Sequence, residues 1–275
     1  MVTDYATGTV LVSEDAEAPR YPASLTKLMT LYLLFEAVQE GRVAFDQMLP
    51  VSAYAAEQPP TRLRLKPGSS IKVADCIDAL ILKSANDVAV VVAEALAGTE
   101  SEFAVKMTRK AIQLGMTNTS FRNASGLPDA GQVTTARDLT ILVHALIKQF
   151  PEFYPHFALR SSRAAGKNIT THNNFLAAFD GADGLKTGYT QTAGHNLAAS
   201  VVRGDHRLIG IVLGEDSCRS RDRKMVQVMN EGLTALGLPP TRKVKKVAAK
   251  TNKRRRHVRS VRRRSRSSAR AVSAE

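Results

Sequence analysis

Apolar residues recur at helical spacing over much of the chain. Apolar positions three and four apart put one face of a helix against a core, so each such segment predicts a helix. Glycine or paired prolines follow several of these segments, as is usual after a helix C-terminus. The predicted helices are "PASLTKLMTLYLLFEAVQEG", two helices in "VADCIDALILKSANDVAVVVAEALAG" interrupted near residues 84–86, residues 102–114, residues 135–149 and residues 220–236.

Short apolar runs bounded by turn residues predict strands near both ends of the chain. "VTDYATGTVLVSEDAEAPR" predicts a strand, a turn at Gly8 and a second strand, and another strand pair is expected around Pro67 and Gly68. From Asp183 onward, "DGLKTGY", "HNLAASVVRG" and "HRLIGIVLG" predict adjacent strands. This order predicts an α+β fold in which a helical cluster packs on an antiparallel sheet.

The net charge of +14 resides in the last residues of the chain. Residues 242–275 contain 15 Lys and Arg and one acidic residue, so residues 1–241 hold 24 residues of each sign. We therefore predict a folded domain over 1–241 and a disordered basic tail over 242–275, which has too few apolar side chains to fold alone. The tail could attract an anionic membrane face or a wall polymer, with nucleic acid less favoured, or be a solvated terminus without a specific partner.

Other compositional signals are sparse. No segment approaches the ~20 consecutive apolar residues that a membrane span needs. Cys76 and Cys218 have neither the spacing of metal ligands nor that of a disulfide framework. Their apolar or mixed surroundings predict two small core residues.

The first long helix begins with a serine and a lysine three positions apart, in "YPASLTKLMT". Ser24 would lie at the positive end of the helix, with Lys27 one turn further over the same face. A serine hydroxyl needs a nearby base to act as a nucleophile, and a lysine is a base only when its amine is kept neutral. Taken alone, this stretch favours a helix cap and a solvated lysine.

Two further segments could complete a site. "SAN" places a hydroxyl on Ser84 and an amide on Asn86 at the helix interruption. "KTG" places Lys186, Thr187 and Gly188 in a predicted strand, which adds a second cation, a hydroxyl and a glycine that lets a ligand backbone approach closely.

In this order, "SLTK", "SAN" and "KTG" resemble the three motifs of the penicillin-recognising serine acyltransferases. The flanking "DYATGTVL", "PASLTKLMT", "LKSANDVAV", "NTSFRNASGLPD", "TARDL" and "DGLKTGYT" narrow the resemblance to the low-molecular-weight penicillin-binding proteins that are serine-type D-alanyl-D-alanine carboxypeptidases. It covers residues 2–236. It implies removal of the terminal D-alanine from peptidoglycan stem peptides through an acyl-enzyme, covalent inhibition by β-lactams, and no metal or cofactor.

The resemblance also implies roles for the reacting groups. Ser24 would attack the carbonyl between the two terminal D-alanines. Lys27 would take its proton, although the identity of the base is disputed in the family. Ser84 would relay a proton to the departing D-alanine. The backbone N–H groups of Ser24 and Tyr189 would form the oxyanion hole.

Substrate binding is implied for four more side chains. Asn86 would hold the substrate amide and Lys186 would keep the local field positive. Thr187 and Arg221 would bind the terminal carboxylate, a task that suits a cation. A second arginine of the family is replaced by Asn173, which leaves carboxylate binding more dependent on Arg221.

The chain also departs from the family at its ends. The basic tail stands where relatives have a β-rich second domain and an amphipathic membrane helix. Relatives are exported, whereas Met1 leads directly into the first predicted strand. We therefore expect a start further upstream or a trimmed fragment, and action in the periplasm or cell envelope. If Met1 were the true start, the protein would remain in the cytosol without its substrate.

Three alternative functions share part of this pattern. A class A β-lactamase would have Ser-Asp-Asn as its middle motif and a Glu-x-x-Leu-Asn stretch, and residues 86–186 contain no such stretch. A D,D-endopeptidase acting on cross-linked peptidoglycan would share the motifs and stays open. A non-catalytic wall- or polyanion-binding protein would act through residues 242–275, and retention of all three motifs argues against it.

Overall fold

The computed structural model describes residues 1–241, whose central feature is a five-stranded antiparallel sheet. In spatial order its strands are β2 (Val10–Val12), β1 (Val2–Asp4), β9 (His206–Glu215), β8 (Gly194–Arg203) and β7 (Ala182–Thr190). Within this sheet, Lys186 of β7 pairs with Ala198 and Gly188 pairs with Asn196. Because β7 is an edge strand, one side of its "KTG" segment remains open to a neighbouring element.

Helices cover both faces of the sheet, which confirms the predicted α+β class. The helices are α1 (Lys27–Gln39), α2 (Ala53–Glu57), α3 (Val73–Asp78), α4 (Asn86–Ala97), α5 (Glu100–Leu114), α6 (Ala136–Gln149), α7 (Phe175–Ala178) and α8 (Cys218–Ala235). Alternate strand residues face opposite ways. Leu197 and Leu208 pack with Met225 of α8, whereas Ala198 and Ile209 join the larger core formed by the helical cluster.

Side-chain caps start several helices where the sequence supplies threonine or serine. Thr99 accepts a hydrogen bond from the backbone of Glu102 at the start of α5, and Thr135 does the same for Asp138 at the start of α6. Ser217 forms a capping box at the start of α8. Such caps satisfy N–H groups that have no acceptor within the helix, so they fix where each helix begins.

The predicted strand pair around Pro67 and Gly68 is wrong in its first half. The strand after the turn is β4 (Ser70–Lys72), but its partner is β3 (Met48–Pro50). The segment before the turn, residues 61–66, has no strand. Its N–H groups at Leu63 and Leu65 bond instead to the buried Asp87 carboxylate, at 3.0 and 3.2 Å. The alternation of "TRLRLK" therefore reflects a loop held by α4.

A second hairpin was not predicted. β5 (Ser161–Ala164) pairs with β6 (Lys167–Thr170) beside the helical cluster.

No helix in residues 1–241 is long and apolar enough to cross a membrane. The predicted basic tail, residues 242–275, lies outside the described residues, and the boundary at 241 stays a prediction.

Candidate active site

Ser24 lies in a tight turn that leads into α1. Residues Ala23–Thr26 form a 3₁₀ turn, and α1 continues directly from it. Ala23 has a φ of +48°, a left-handed conformation that is uncommon for a residue with a side chain. Backbone strain of this kind is concentrated at functional sites, where the surrounding structure holds it in place. Here it fixes the entry to the turn that presents the Ser24 hydroxyl.

Lys27 is buried directly behind Ser24, with 0 % of the residue exposed. Its Nζ lies 3.3 Å from Ser24 Oγ, 2.8 Å from Asn86 Oδ1 and 2.5 Å from the carbonyl oxygen of Ser125. One amine therefore links the first motif, the second motif and the loop that contains Ser125. The solvated lysine that the local sequence favoured is excluded by this burial.

The pKa of the Lys27 amine is lowered well below its usual value. Burial is the main cause, because it disfavours the charged form, and the positive charge of Lys186 adds to it. Glu100 and Asp87 act in the opposite direction. This lowering of the pKa favours the neutral form of the amine, which is the form that can accept a proton from a serine hydroxyl.

The second motif is presented by a distortion between α3 and α4. Residues Ala79–Lys83 form a π-helical turn, and Ser84 then adopts a left-handed conformation with φ 57° and ψ 40°. This geometry ends one helix and lets Asn86 begin the next. Asn86 is held at both ends of its amide, by Lys27 Nζ and by a 2.9 Å bond from Nδ2 to Pro59 O. Ser84 Oγ is buried and has no hydrogen-bond partner among the described residues.

The third motif runs along the open edge of β7. A Cβ added to Gly188 would come within 3.1 Å of both Pro22 O and Ser24 N, so the strand passes directly beside the Ser24 turn. Lys186 is 2 % exposed, and burial together with the nearby Arg221 lowers the pKa of Lys186 to about 7. Thr187 lies between these positions on the same strand. The site therefore combines two buried amines of lowered pKa.

Tyr189 and Arg221 flank the outer part of the site. The Tyr189 ring is exposed and stacks on His195 with ring centroids 4.3 Å apart. Arg221 on α8 is buried, and its Nε and Nη2 donate to Asp222 Oδ1 at 2.9 and 2.7 Å. A guanidinium held from one side in this way can present its remaining donors to an anion.

A cleft of about 380 Å³ joins these elements. Seven of the nine residues singled out from the sequence line it, and the other two, Lys27 and Lys186, are buried. The seven are Ser24, Ser84, Asn86, Thr187, Gly188, Tyr189 and Arg221. The residues that the sequence did not single out are Pro60, Thr61, Ser125, Gly126, Leu127, His172, Asn174, Thr190 and Cys218. Of these, Ser125 to Leu127 lie within the quoted "NTSFRNASGLPD" segment and Thr190 ends the quoted "DGLKTGYT", so the flanking matches were the signal available for these four.

Cys218 is not the core residue that the sequence predicted. Cys76 is buried as expected, but Cys218 is exposed and lines the cleft, so that half of the prediction is wrong. The reason is its place as the first residue of α8, before the helix turns its apolar side towards the sheet.

Asn173, the residue that replaces a family arginine, is buried beside the cleft. Its Oδ1 accepts a hydrogen bond from the backbone of Phe175 at 3.1 Å. Its neighbours His172 and Asn174 are the ones that line the cleft. Arg221 is therefore the one guanidinium among the residues that line the cleft in the described part of the chain.

Gly126 lies where the Ser125 loop meets the Ser24 turn. It has a φ of +86°, and an added Cβ would come 1.9 Å from Ala23 O and 2.9 Å from Ser24 N. We expect Gly126→Ala to displace the turn and to slow acylation of Ser24 by roughly 100-fold, the loss typical of a displacement of about 1 Å. The measurement is the rate of covalent labelling by a fluorescent penicillin.

Gly166→Ala is the matched control for that substitution. Gly166 also has a positive φ, +73°, but open space surrounds its Cβ position. Both variants therefore carry backbone strain of about 1 kcal/mol, whereas only Gly126→Ala adds a clash at the site. Wild-type labelling of a folded Gly126→Ala would show that the turn tolerates displacement.

Among residues 1–241, no group of three or more His, Cys, Asp or Glu side chains is arranged to hold a metal ion. The side chains that line the cleft supply hydroxyls, amides, an imidazole, a thiol and a guanidinium, and the two buried amines lie next to them. A serine hydroxyl beside a buried amine of lowered pKa, with hydrogen-bond donors around both, is an arrangement suited to acyl transfer.

Comparisons with known proteins agree with this chemistry. A family model described as D-alanyl-D-alanine carboxypeptidase, peptidase family S11, matches residues 1–217. The chain is 36 % identical over 243 residues to the D-alanyl-D-alanine carboxypeptidase DacC of Escherichia coli, covering 84 % of this chain and 60 % of that protein. The chain spans between 60 and 64 % of the length of DacC and of two further curated relatives, DacF of Bacillus subtilis and DacD of Escherichia coli.

Solved structures show the same likeness. The D-alanyl-D-alanine carboxypeptidase DacD from Francisella tularensis has a TM-score of 0.82 and 28 % identity, over 85 % of this chain and 69 % of that one. Penicillin-binding protein D2 from Listeria monocytogenes, in its ampicillin-bound form, has a TM-score of 0.74 and 32 % identity, over 84 % of this chain and 95 % of that one.

Proposed function

Because the chain belongs to the D-alanyl-D-alanine carboxypeptidase family, peptidase family S11, we propose that it removes the terminal D-alanine from peptidoglycan stem peptides by serine acyl transfer. One observation carries this proposal above the others. The buried amine of Lys27 contacts both Ser24 Oγ and Asn86, which joins two of the three motifs.

In the acylation step, Ser24 Oγ attacks the carbonyl carbon between the two terminal D-alanines. The hydroxyl proton passes to the neutral amine of Lys27, 3.3 Å away. The developing oxyanion is stabilised by the backbone N–H groups of Ser24 and Tyr189, donors whose individual loss costs ~3 kcal/mol in comparable sites. The close approach of Gly188 to Ser24 N supports this pairing of turn and strand.

The tetrahedral intermediate collapses when the bond to the leaving nitrogen breaks. That nitrogen needs a proton, and Ser84 is suited to relay one from Lys27 because its hydroxyl lines the cleft and no hydrogen bond to another described residue occupies it. D-alanine departs as an amine, and the rest of the peptide stays esterified to Ser24. Water then attacks the ester with Lys27 again accepting the proton, which restores the serine and releases the shortened peptide.

Recognition of the substrate is assigned to the groups around this centre. Thr187 and Arg221 line the cleft beyond the nucleophile, and Lys186 lies beneath them as a second amine. Together they offer a hydroxyl and positive charge to the terminal carboxylate. Asn86 is placed to bind the amide of the substrate chain. Terminal D-alanine is preferred over an internal one because only the terminus carries that carboxylate.

The same centre would be acylated by β-lactams. The Listeria monocytogenes relative is described in ampicillin-bound and cefotaxime-bound forms, and the fold is shared. A β-lactam ring opened by Ser24 leaves an ester at the same oxygen. We place the activity at the periplasm or cell envelope, where peptidoglycan is found.

A paired substrate assay tests the function. The purified full chain is incubated with a stem pentapeptide ending in D-Ala-D-Ala and, separately, with a cross-linked peptide dimer, while free D-alanine and product masses are followed. We expect release of D-alanine from the pentapeptide and no shortened product from a control peptide ending in L-Ala. Cleavage of the dimer alone would favour an endopeptidase. If neither peptide is cleaved, and a polyanion binds only when residues 242–275 are present, the result would favour a non-catalytic binding protein.

A further inference from the structure

Glu100, the first residue of α5, is a buried carboxylate that the proposed reaction leaves unused. The residue is 9 % exposed. Its Oε1 accepts a hydrogen bond from the backbone N–H of Ala124 at 2.9 Å, and its Oε2 accepts one from the Tyr54 hydroxyl at 2.8 Å. Both donors are neutral. Keeping a carboxylate inside a protein with neutral donors alone is costly, so its place there calls for a reason.

The short segment that Glu100 anchors at the N–H of Ala124 also contacts Lys27, at the carbonyl of Ser125. The carbonyl of Ala124 accepts a hydrogen bond from the Thr30 hydroxyl at 2.7 Å, and the carbonyl of Ser125 accepts one from Lys27 Nζ at 2.5 Å. Side chains of α5 and α1 thus fix the N–H of residue 124 and the two carbonyls that follow it. A shift at the Glu100 end would move the acceptor that positions the amine.

Charged side chains on three surrounding elements influence the pKa of Lys27. Lys186 faces it from β7, Asp87 from α4 and Glu100 from the start of α5. Lys186 adds to the effect of burial in lowering the pKa of the Lys27 amine, whereas the two carboxylates oppose that change. The carboxylate of Asp87 accepts hydrogen bonds from the backbone of the loop at residues 63–65. Glu100 is therefore the carboxylate whose hydrogen bonds lead to the Lys27 acceptor.

We propose that Glu100 is a positioning residue, which anchors the segment of residues 124–125 so that Ser125 O contacts Lys27 Nζ, and which places a negative charge near that amine. This inference rests on the proposed function, since it assumes that Lys27 is the base for Ser24. The hydrogen bond sets where the amine lies relative to the nucleophile. The charge sets the pH at which the amine becomes neutral.

Two substitutions separate these effects. Glu100→Gln keeps the shape of the side chain and removes its charge, whereas Glu100→Asp keeps the charge and withdraws the carboxylate by one methylene. The measurement is the rate constant for acylation of the full chain by a fluorescent penicillin as a function of pH, with thermal denaturation as the check on folding. Glu102→Gln is the matched control, because Glu102 lies in the same helical turn but is exposed.

The sign of the pH effect follows from the role of a neutral amine. Acylation is full above the pKa of Lys27 and is lost as the pH falls through it. Removing the charge of Glu100 lowers that pKa. The acidic limb of the pH–rate profile, where the acylation rate falls with falling pH, therefore moves to lower pH by about one unit in Glu100→Gln. For Glu100→Asp the acidic limb stays near its wild-type position. The plateau rate at high pH falls about tenfold, because the segment of residues 124–125 is held less firmly against Lys27. Glu102→Gln leaves both unchanged.

The outcomes distinguish this inference from the function on which it rests. A folded wild type that is not acylated would reject both. If the wild type reacts, an unshifted acidic limb in Glu100→Gln would overturn the inference alone, and so would a wild-type plateau in Glu100→Asp. Should Glu100→Gln fail to fold, Glu100→Asp decides by itself: a reduced plateau supports the positioning role and an unchanged one removes it.

Discussion

Replacing Ser24 with alanine is expected to abolish covalent labelling by a fluorescent penicillin and to leave the protein folded. Without Oγ there is no atom to carry the acyl group, so the expected loss of D-alanine release is on the order of 10⁴-fold or more. Ser24 Oγ is bonded only to the amine of Lys27 among the described residues, so its removal disturbs little of the core. The measurement is gel fluorescence of the labelled chain, with mass spectrometry to locate the adduct on wild type.

Ser101→Ala is a suitable control, because Ser101 is an exposed serine on α5. It should label like wild type. An adduct that persists in Ser24→Ala would reassign the nucleophile, and Ser84 would be the first candidate because its buried hydroxyl also lines the cleft. A wild type that folds yet never labels would show that the three motifs meet in space without forming a reactive centre.

The sequence predicted the sheet and the long helices correctly where apolar residues recur at a single spacing along the segment. The strands "HNLAASVVRG" and "HRLIGIVLG" became β8 and β9 because their alternating residues are shared between two cores, one on each face of the sheet. The alternation of "TRLRLK" failed for a specific reason. Its backbone N–H groups bond to Asp87, a residue more than twenty positions away in sequence, and no local pattern reports such a partner.

Some groups of the candidate site could be predicted from the sequence and others could not. Residues proposed to act through their own side chains stand in short motifs, so Ser24, Lys27 and Asn86 could be singled out from the sequence alone. Groups that act through the backbone leave a weaker mark. The carbonyl of Ser125 contacts Lys27, and a carbonyl oxygen is common to every residue type, so its identity carries no signal. Glu100 is recognisable only through its contact with Ala124, which lies far from it in sequence.

The interruption near residues 84–86 shows how far local sequence can go. The helical pattern of this region predicted a break, and the structure has a π-helical turn followed by a left-handed serine. π-Helical turns within helices are frequent at functional sites. The left-handed geometry itself is not encoded by a glycine, since serine occupies the position. It is held by contacts from elsewhere, such as the Thr61 hydroxyl that donates to Ser84 O at 2.8 Å.

Replacing Lys27 with methionine is expected to slow acylation by about 10³-fold, the middle of the range for loss of a general base. Methionine has similar length and suits a fully buried position. The change leaves Asn86 Oδ1 and Ser125 O without that donor, at a cost of about 1–3 kcal/mol for each group left unsatisfied. It also removes an amine that burial disfavours in its charged form, which offsets part of that cost.

Single-turnover labelling and thermal denaturation measure these two effects separately. Lys110→Met is the control, because Lys110 pairs with Glu36 outside the cleft at 2.6 Å and should label normally. The pH dependence gives the sharper test. Wild-type acylation is lost as the pH falls through the pKa of Lys27, so the residual reaction of Lys27→Met should no longer show that acidic limb. A limb that persists at its wild-type pH would assign the titrating base to another group, and the second buried amine, Lys186, with its pKa of about 7, would then be the first to replace.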